Sequence, residues 1–510
     1  MRDTIYSHAT NQELDGKVVP MSKDVAEPNV FEPQRWGLPT EAVADLAARL
    51  RRFWSRFRHC FKTQTRDASE YAWVYIRGLL TMETKRNFAN IARRVIAPDD
   101  DGQNLQQFMS DSPWSSPQVL HQVQMEIAAT PGLNTGGVLI LDESADQKAG
   151  AHNAGAGRQH NGRLGKVDMS QVGVFLAFAK ESVWTWVDGE LYLPKHWFTS
   201  EMAEERQRLG IPSERQFATK IELGWRMIQR VKAHGLPFEA LFCDELYGRN
   251  GWLRRQLDEA DILYMADVPK NTRVYLTKPD FGLPPSQPGP RGRRPTQPRV
   301  LNEVKPIKVS QIVHRSDTTF RRFRVRSTER GQLEDSFAMR RVWTIRDGLL
   351  AEEWLVIRYE NGQRYSYALS NAPADTSHER LAWLKCLRYF VERTNQDAKS
   401  EFGWDELQAQ KYLAWEHHLA LTVMASWFVA QTKHEWTQAY ARDPKLAHQL
   451  EVDILPALSV ANVRELLRAV LPLHQLSPEQ AIHLVVKHLV NRSQSTGSRL
   501  KVQRRNRSPT

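Results

Sequence analysis

Two short apolar runs, each stopping at an aspartate, constrain this chain more than any other feature. Val138, Leu139, Ile140 and Leu141 lead into Asp142, and Ala240, Leu241, Phe242 and Cys243 lead into Asp244. Runs of this length and apolarity predict fully buried strands, which occur where a sheet is covered on both faces. An aspartate at the tip of such a strand has a fixed backbone and an open side chain. One alone is ordinary turn chemistry. Two, together with Glu392 in the helical-looking stretch 388–399, make a carboxylate set able to hold divalent cations. Glu143 and Glu245 adjoin the aspartates, but alternation along a strand turns each away from its neighbour, which makes them poor ligands.

Charge and cysteine usage narrow the chemistry further. The 510 residues are too many for one ordinary core, so several domains are expected. Lys and Arg number 70 against 59 Asp and Glu, a net charge of +11, which points to a polyanionic partner, nucleic acid ahead of membrane. Cys60, Cys243 and Cys386 are far apart and form no CxxC, which argues against a zinc module or a disulfide framework and fits a reducing cytoplasm. No apolar run approaches the length of a membrane span, and the N-terminus has no signal pattern, so no membrane partner is expected.

Along the chain, residues 1–33 are polar and aperiodic and are expected to form a disordered arm. Residues 34–132 have helical periodicity, with Leu46, Leu50, Phe53, Phe57 and Cys60 at helix spacing and further helices predicted over 85–95, 104–109 and 117–128. With Arg86, Arg93 and Arg94 exposed, this block suits a helix-turn-helix-like DNA reader and a plain helical bundle about equally. Residues 133–269 predict strands at 138–141, 172–178 and 183–186, a helix at 217–233, the strand into Asp244, a helix at 252–260 and a strand at 262–266. That β-β-β-α-β-α-β order implies a mixed α/β sheet flanked by helices, the order of an RNase H-like core. Over 270–375, Pro284, Pro285, Pro288 and Pro290 with Arg291, Arg293, Arg294 and Arg299 predict an extended basic loop to about residue 315. Alternating segments at 320–326, 339–345, 354–359 and 365–369 then predict a β-rich insertion. Helices resume over 376–435, the second part of the core with Glu392, and over 436–490. The stretch 491–510 carries Arg492, Arg499, Lys501, Arg504, Arg505 and Arg507 and no acid, and is expected to be an unstructured, phosphate-seeking tail. The chain thus reads as an α/β core with a β-rich insertion between all-α terminal regions.

On these residues the chain resembles the DDE transposases of bacterial insertion sequences. It is most similar to the cut-and-paste branch, which has an RNase H-like core, a β-rich insertion and a signature Y-x-x-R-x-x-x-E-x-x-x-x-x-x-K. Arg388, Glu392 and Lys399 fit the last three members of that signature. Position 385 is lysine where the signature has tyrosine, which leaves that role unassigned, although Tyr389 is close by. The stretches 141–144, 157–160, 165–166, 171–174 and 190–194, the block from Asp244 to Tyr247 and Gly248, and 398–403 are similar to the same family. Together they extend the likeness over most of residues 75–435.

The resemblance implies Asp142, Asp244 and Glu392 as catalytic metal ligands for two Mg²⁺ (or Mn²⁺) ions per active site. It implies double-stranded DNA, both element ends and target, as substrate, and a homodimer assembled on that DNA. Helix geometry puts Arg388 and Lys399, four before and seven after Glu392, close to its face, where they would clamp phosphates. Arg158, His160 and Lys166 in a glycine-rich stretch, Tyr247, and Arg291, Arg293 and Arg294 are further DNA-contact candidates. Trp343 or Trp354 in the insertion is a candidate to trap a flipped base, against a simple packing role. His417 and His418, adjacent on one helix, diverge by about 100° and are expected to pack rather than share an ion. A stand-alone RNase H-like nuclease and a catalytically silent, domesticated DNA-binding protein are the alternative readings.

Overall fold

The first four strands form an antiparallel group: β1 (Val138–Gln147), β2 (Gly157–Asn161), β3 (Lys166–Lys180) and β4 (Val183–Tyr192), with β1, β2 and β4 all paired to β3. Then β5 (Ala240–Cys243) and β6 (Tyr264–Val268) run parallel to β1 and to one another. The computed structural model describes residues 29–162, 164–284, 296–328 and 331–505. The expectation that the first strand ends at Asp142 is corrected. The parallel pairing with β5 does stop at Leu141↔Cys243, but β1 stays paired with β3 as far as Gln147↔Ser170. Asp142 therefore lies within a strand whose partner on one edge has run out.

Four long strands follow: β7 (Arg321–Thr328), β8 (Gly331–Arg346), β9 (Leu349–Glu360) and β10 (Arg364–Ser370). They are not a separate sheet. β10 pairs antiparallel with β6, from Tyr367↔Val268 to Ser370↔Met265, and so extends the central sheet. The stretch 270–315 is not simply an extended loop either. It contains two short strand pairs, and Val274, Val309 and Ile312 pack with Val342, Leu355, Ile357 and Leu369 in a small second core. Apolar residues spaced among the basic ones provide that packing. Arg291, Arg293 and Arg294 lie outside the described residues.

Before the sheet come α1 (Leu46–Phe57), α2 (Ser69–Thr81), α3 (Phe88–Val95), α4 (Gln103–Ser110) and α5 (Ser116–Ala129). Between strands lie α6 (Lys220–Ala233), α7 (Glu245–Gly248) and α8 (Gly251–Glu259). After the sheet come α9 (His378–Cys386), α10 (Tyr389–Ser400), α11 (Tyr412–Ala439), α12 (Val460–Val470) and α13 (Pro478–Arg505). In α1, Leu46, Leu50, Phe53 and Phe57 are buried at helical spacing, as the sequence predicts. α11 is buried or half-buried around its whole circumference from Tyr412 to Trp436. It packs on β4, α2, α4 and α5, so the N-terminal helices share one apolar core with the sheet. Gly173 of β3 allows this approach: a Cβ there would lie 2.8 Å from the Trp415 ring of α11. His417 stacks on Trp114 with centroids 3.7 Å apart, and His418 contacts the Tyr75 hydroxyl at 2.9 Å, which is the expected packing role.

Two further expectations are corrected. Arg86, expected at the surface, is only 3% exposed; it donates to the Met82 and Glu401 carbonyls and pairs with Glu406 at 3.0 Å. The connector between α2 and α3 is pressed against residues 401–406, where a cation persists only if paired. Arg93 and Arg94 are partly buried. The tail is not unstructured, because α13 continues through the basic residues to Arg505, while residues 506–510 lie outside the described range.

A buried polar network fastens the extension to the rest of the sheet. Glu353 of β9 is fully buried and takes Arg254 of α8 at 3.2 Å, the Tyr264 hydroxyl of β6 and the Thr344 hydroxyl of β8. Replacing Glu353 with alanine strands all three partners in a dry interior. We expect a loss of roughly 3 kcal/mol in urea-unfolding stability; a change under about 0.5 kcal/mol would mean the network is dispensable.

Candidate functional site

Because β1 and β5 are parallel and in register at Leu141↔Cys243, the next residue on each is an aspartate, side by side where the parallel pairing ends. The two are held differently. Asp244 caps α7, its Oδ1 accepting from the Leu246 amide at 2.9 Å and the Tyr247 amide at 3.3 Å. Asp142 accepts from the Glu143 amide at 2.9 Å, and its Oδ2 faces the Asn395 amide group at 3.5 Å. Glu143 points to the other side of the sheet and pairs with Lys220 of α6 at 2.6 Å, as strand alternation predicts.

The pair is electrostatically strained. Burial, and after it the Asp244 charge, push the Asp142 carboxyl up to about 7 against the opposing Arg388. Asp244 is also raised by burial, against its backbone hydrogen bonds and Arg388. The adjacent carboxylates, oxygen donors both, fit a hard divalent cation. Tyr247 is corrected as a DNA-contact candidate: its ring is fully buried, and among the described residues its hydroxyl has no hydrogen-bond partner.

The remaining signature residues come from α10. Asn395 accepts from Trp186 Nε1 at 3.0 Å, and Asp397 from Trp184 Nε1 at 2.8 Å, which docks the second half of the helix on β4. Glu392 is one turn earlier, 63% exposed and 3.4 Å from Arg388. Among the described residues, no three acidic, histidine or cysteine groups come together at metal-ligand spacing, so Glu392 is at the rim of the aspartate pair rather than within it. Lys399 does not accompany Glu392. Its Nζ lies 3.3 Å from the Ala145 carbonyl and 3.6 Å from Asp146, further along β1. Seven residues at 1.5 Å rise put Lys399 roughly 10 Å further along the axis, so a shared face is not a shared site.

Asn395, Asp146 and Asp267 were not singled out from the sequence, and Lys385 only as the departure from the signature's tyrosine. The available signal for Asn395 was its position three residues after Glu392, one turn along the same face. Nothing pointed to the pairing of Lys385 with Asp267, which joins positions 118 apart. Arg158 and His160 are exposed on the β2–β3 hairpin, opposite Met169 and Val167, in the register that faces the same side of the sheet as Asp142. Lys166 is exposed beside Asp168 at 3.1 Å. Trp354 is 7% exposed, donates to the Pro373 carbonyl at 3.0 Å and packs on His378, so it belongs to the core and is withdrawn as a base trap. Trp343 is partly buried, with Lys278 Nζ 5.0 Å above its ring.

The family described as DDE superfamily endonuclease matches residues 56–332, a span that holds both aspartates and stops before Glu392. A probable transposase for insertion sequence element IS701, from Microchaete diplosiphon, is 26% identical over 211 residues, which is 40% of this chain and 50% of that protein. The chain therefore spans about half the length of this curated relative.

The raised carboxyl gives a prediction with a definite sign. A carboxylate whose folded pKa lies above its unfolded value destabilises the fold when ionised; the cost is absent below about pH 4 and fully present above about pH 7. Asp142→Asn should therefore raise stability in EDTA by roughly 1–3 kcal/mol at pH 8 and leave it unchanged at pH 4, the cleft's access to water holding the figure down. Mn²⁺ is expected to raise the melting temperature of the parent chain at pH 8 and to leave that of the variant unchanged. Thermal melts at the two pH values, with and without Mn²⁺, decide it; equal shifts at both would disprove the strained-pair account.

Proposed function

The chain belongs to the DDE superfamily endonucleases, and from that membership we propose that it is the DNA transposase of an insertion element. In this reading it binds the terminal inverted repeats of its element, cuts both strands and joins the ends to target DNA. The observation that carries the reading is the aspartate pair: two carboxylates set side by side by strand register, both within the family match. The order β4-β3-β1-β5-β6, three antiparallel strands followed by two parallel ones, supports an RNase H-like core. The β-rich segment then lies between Asp244 and Glu392.

Asp142 and Asp244 would hold Mg²⁺ or Mn²⁺, with Glu392 as the third catalytic carboxylate. Bound there, such ions lower the pKa of an attacking water or hydroxyl and stabilise the leaving oxygen. The rest is the work of the chain's own groups. Arg388, beside the carboxylates, takes a phosphate oxygen and orients the DNA end. Arg158, His160 and Lys166 on the hairpin lie along the backbone, and the net charge of +11 supplies long-range attraction. Trp343 is the remaining stacking candidate in the insertion.

Two element ends must be held together, and a homodimer does this with two-fold symmetry. The surface best suited is on α13, where Ile482, Val485, Val486, Leu489 and Val490 are 47–63% exposed at i, i+3, i+4, i+7 and i+8.

Asp142→Asn, Asp244→Asn and Glu392→Gln should each reduce Mg²⁺-dependent cleavage of an element end by at least about 100-fold, while gel-shift binding changes by less than about threefold. Normal cleavage by any one variant removes that residue from the set. Joining of a pre-cut end to target DNA distinguishes a transposase from a nuclease that only cleaves and from a silent binding protein. For the assembly, Val486→Asp should halve the mass of the end-bound complex in light scattering; an unchanged dimer places the interface elsewhere.

A further inference from the structure

Resting on that reading of the aspartate site, we propose that Asp267 is a positioning residue, charge-balanced by the buried Lys385, that fixes the Arg388 guanidinium beside the catalytic carboxylates. Lys385 stands where the resembled signature has tyrosine, and its side chain is only 3% exposed. A buried ammonium requires a partner, and the Lys385 Nζ lies 2.6 Å from Asp267 Oδ1. The other carboxylate oxygen, Oδ2, lies 3.3 Å from Arg388 Nε. Asp267 thus spans two cations, one buried and one facing the site. The far end of the same guanidinium, Nη2, is 3.4 Å from Glu392.

The position of Asp267 is itself tightly determined. It is in β6, opposite Ala368 of β10, one residue beyond the last β5–β6 pair, Cys243↔Ala266. Gly248, the last residue of the helix that Asp244 caps, packs against it: a Cβ at 248 would lie 2.0 Å from the Asp267 carbonyl oxygen. The backbones that carry Asp244 and Asp267 are therefore in direct contact and cannot move independently. Arg388 has a long, flexible side chain, and ordering it costs rotamer entropy. A fixed carboxylate on Nε holds the planar fork in one orientation before any phosphate arrives. Lys385 supplies the second charge, so that Asp267 does not simply add a further anion to a site already crowded with carboxylates.

The test is a double-mutant cycle read in two ways. Asp267→Asn should slow single-turnover cleavage of a saturating element end about tenfold or more, with end-binding affinity within about threefold. Added to Arg388→Ala, it should cause no further loss, because its effect passes through that arginine. Multiplicative losses, or a loss confined to affinity, overturn the proposal. If Asp267→Asn alone fails to fold because Lys385 is left unpaired, Asp267→Asn/Lys385→Met removes the charges together and carries the same cycle; full recovery of cleavage in that variant shows a purely structural pair. The second readout is the urea midpoint, where 267 and 388 should be coupled with no DNA present. Absence of any cleavage by the parent chain would overturn the proposed function and leave this coupling testable, whereas cleavage without coupling overturns the positioning role alone.

Discussion

The parallel pairing of β1 with β5 ends after Leu141↔Cys243, and the geometry of the site follows from that one termination. On its other edge β1 remains bonded to β3 for six further residue pairs, from Asp142↔Phe175 to Gln147↔Ser170. Asp142 is thus held rigidly by a strand while one flank is open. Asp244, at the end of the shorter strand, turns at once into a helix and spends one oxygen on that helix's amides. Neither aspartate can retreat from the other, because each backbone is fixed by hydrogen bonds that a side-chain rotation does not relieve. Burial of a carboxylate beside a second one is costly, and the raised Asp142 carboxyl expresses that cost, burial first and the Asp244 charge after it.

Elsewhere the chain neutralises its buried charge locally, and the contrast isolates the site. Asp188 pairs with Arg230 at 2.8 Å, Asp335 with Arg358 at 2.7 Å, and Arg464 with Glu401 at 2.7 Å. In each a buried ion lies against an opposite charge, as burial of ions requires. Among the described residues, Arg388 is the cation that opposes the raised carboxyls of the aspartate pair, and it is shared with Asp267 and Glu392. A surplus of anionic oxygen remains where the sheet opens, which is the condition a divalent cation satisfies.

Much of the central sheet was legible in the sequence because its strands are continuous apolar runs bounded by turn residues, a signal that survives without tertiary information. Val138 to Leu141 and Ala240 to Cys243 belong to this class. The extension of β1 to Gln147 was not legible: Glu143, Ser144, Ala145 and Asp146 do not read as a strand on their own and are held in one by pairing with Ser144↔Gly173 and its neighbours. The joining of β10 to β6 was hidden for a similar reason, since register between distant strands leaves no local trace. The carboxylates could be read from sequence, whereas the groups that set their surroundings could not. Asp267 with Lys385, Asn395 with Trp186, and Lys399 with Asp146 are all long-range pairs. Helix periodicity placed Arg388 correctly next to Glu392 and misplaced Lys399, because periodicity fixes a face but not which strand lies beneath it.

The uneven anchoring of α10 bears on how the site works. Its second half is tied down by Trp186 on Asn395, Trp184 on Asp397 and the Ala145 carbonyl on Lys399. Its first half is held through buried Val391 and through Phe390 against Trp184, and carries Tyr389 and Glu392 exposed. The two aspartates and Asn395 are therefore fixed by the fold, and the Glu392 side chain is on the open side of the helix, engaged with Arg388 at 3.4 Å. In the proposed function a DNA phosphate reaching Arg388 competes with Glu392 for the same guanidinium, since both are anionic oxygens accepting from one fork. Displacing Glu392 from Arg388 frees the third carboxylate beside the other two. Binding energy from the substrate then contributes to completing the site, and that energy is available only when a phosphate is in place to be cut.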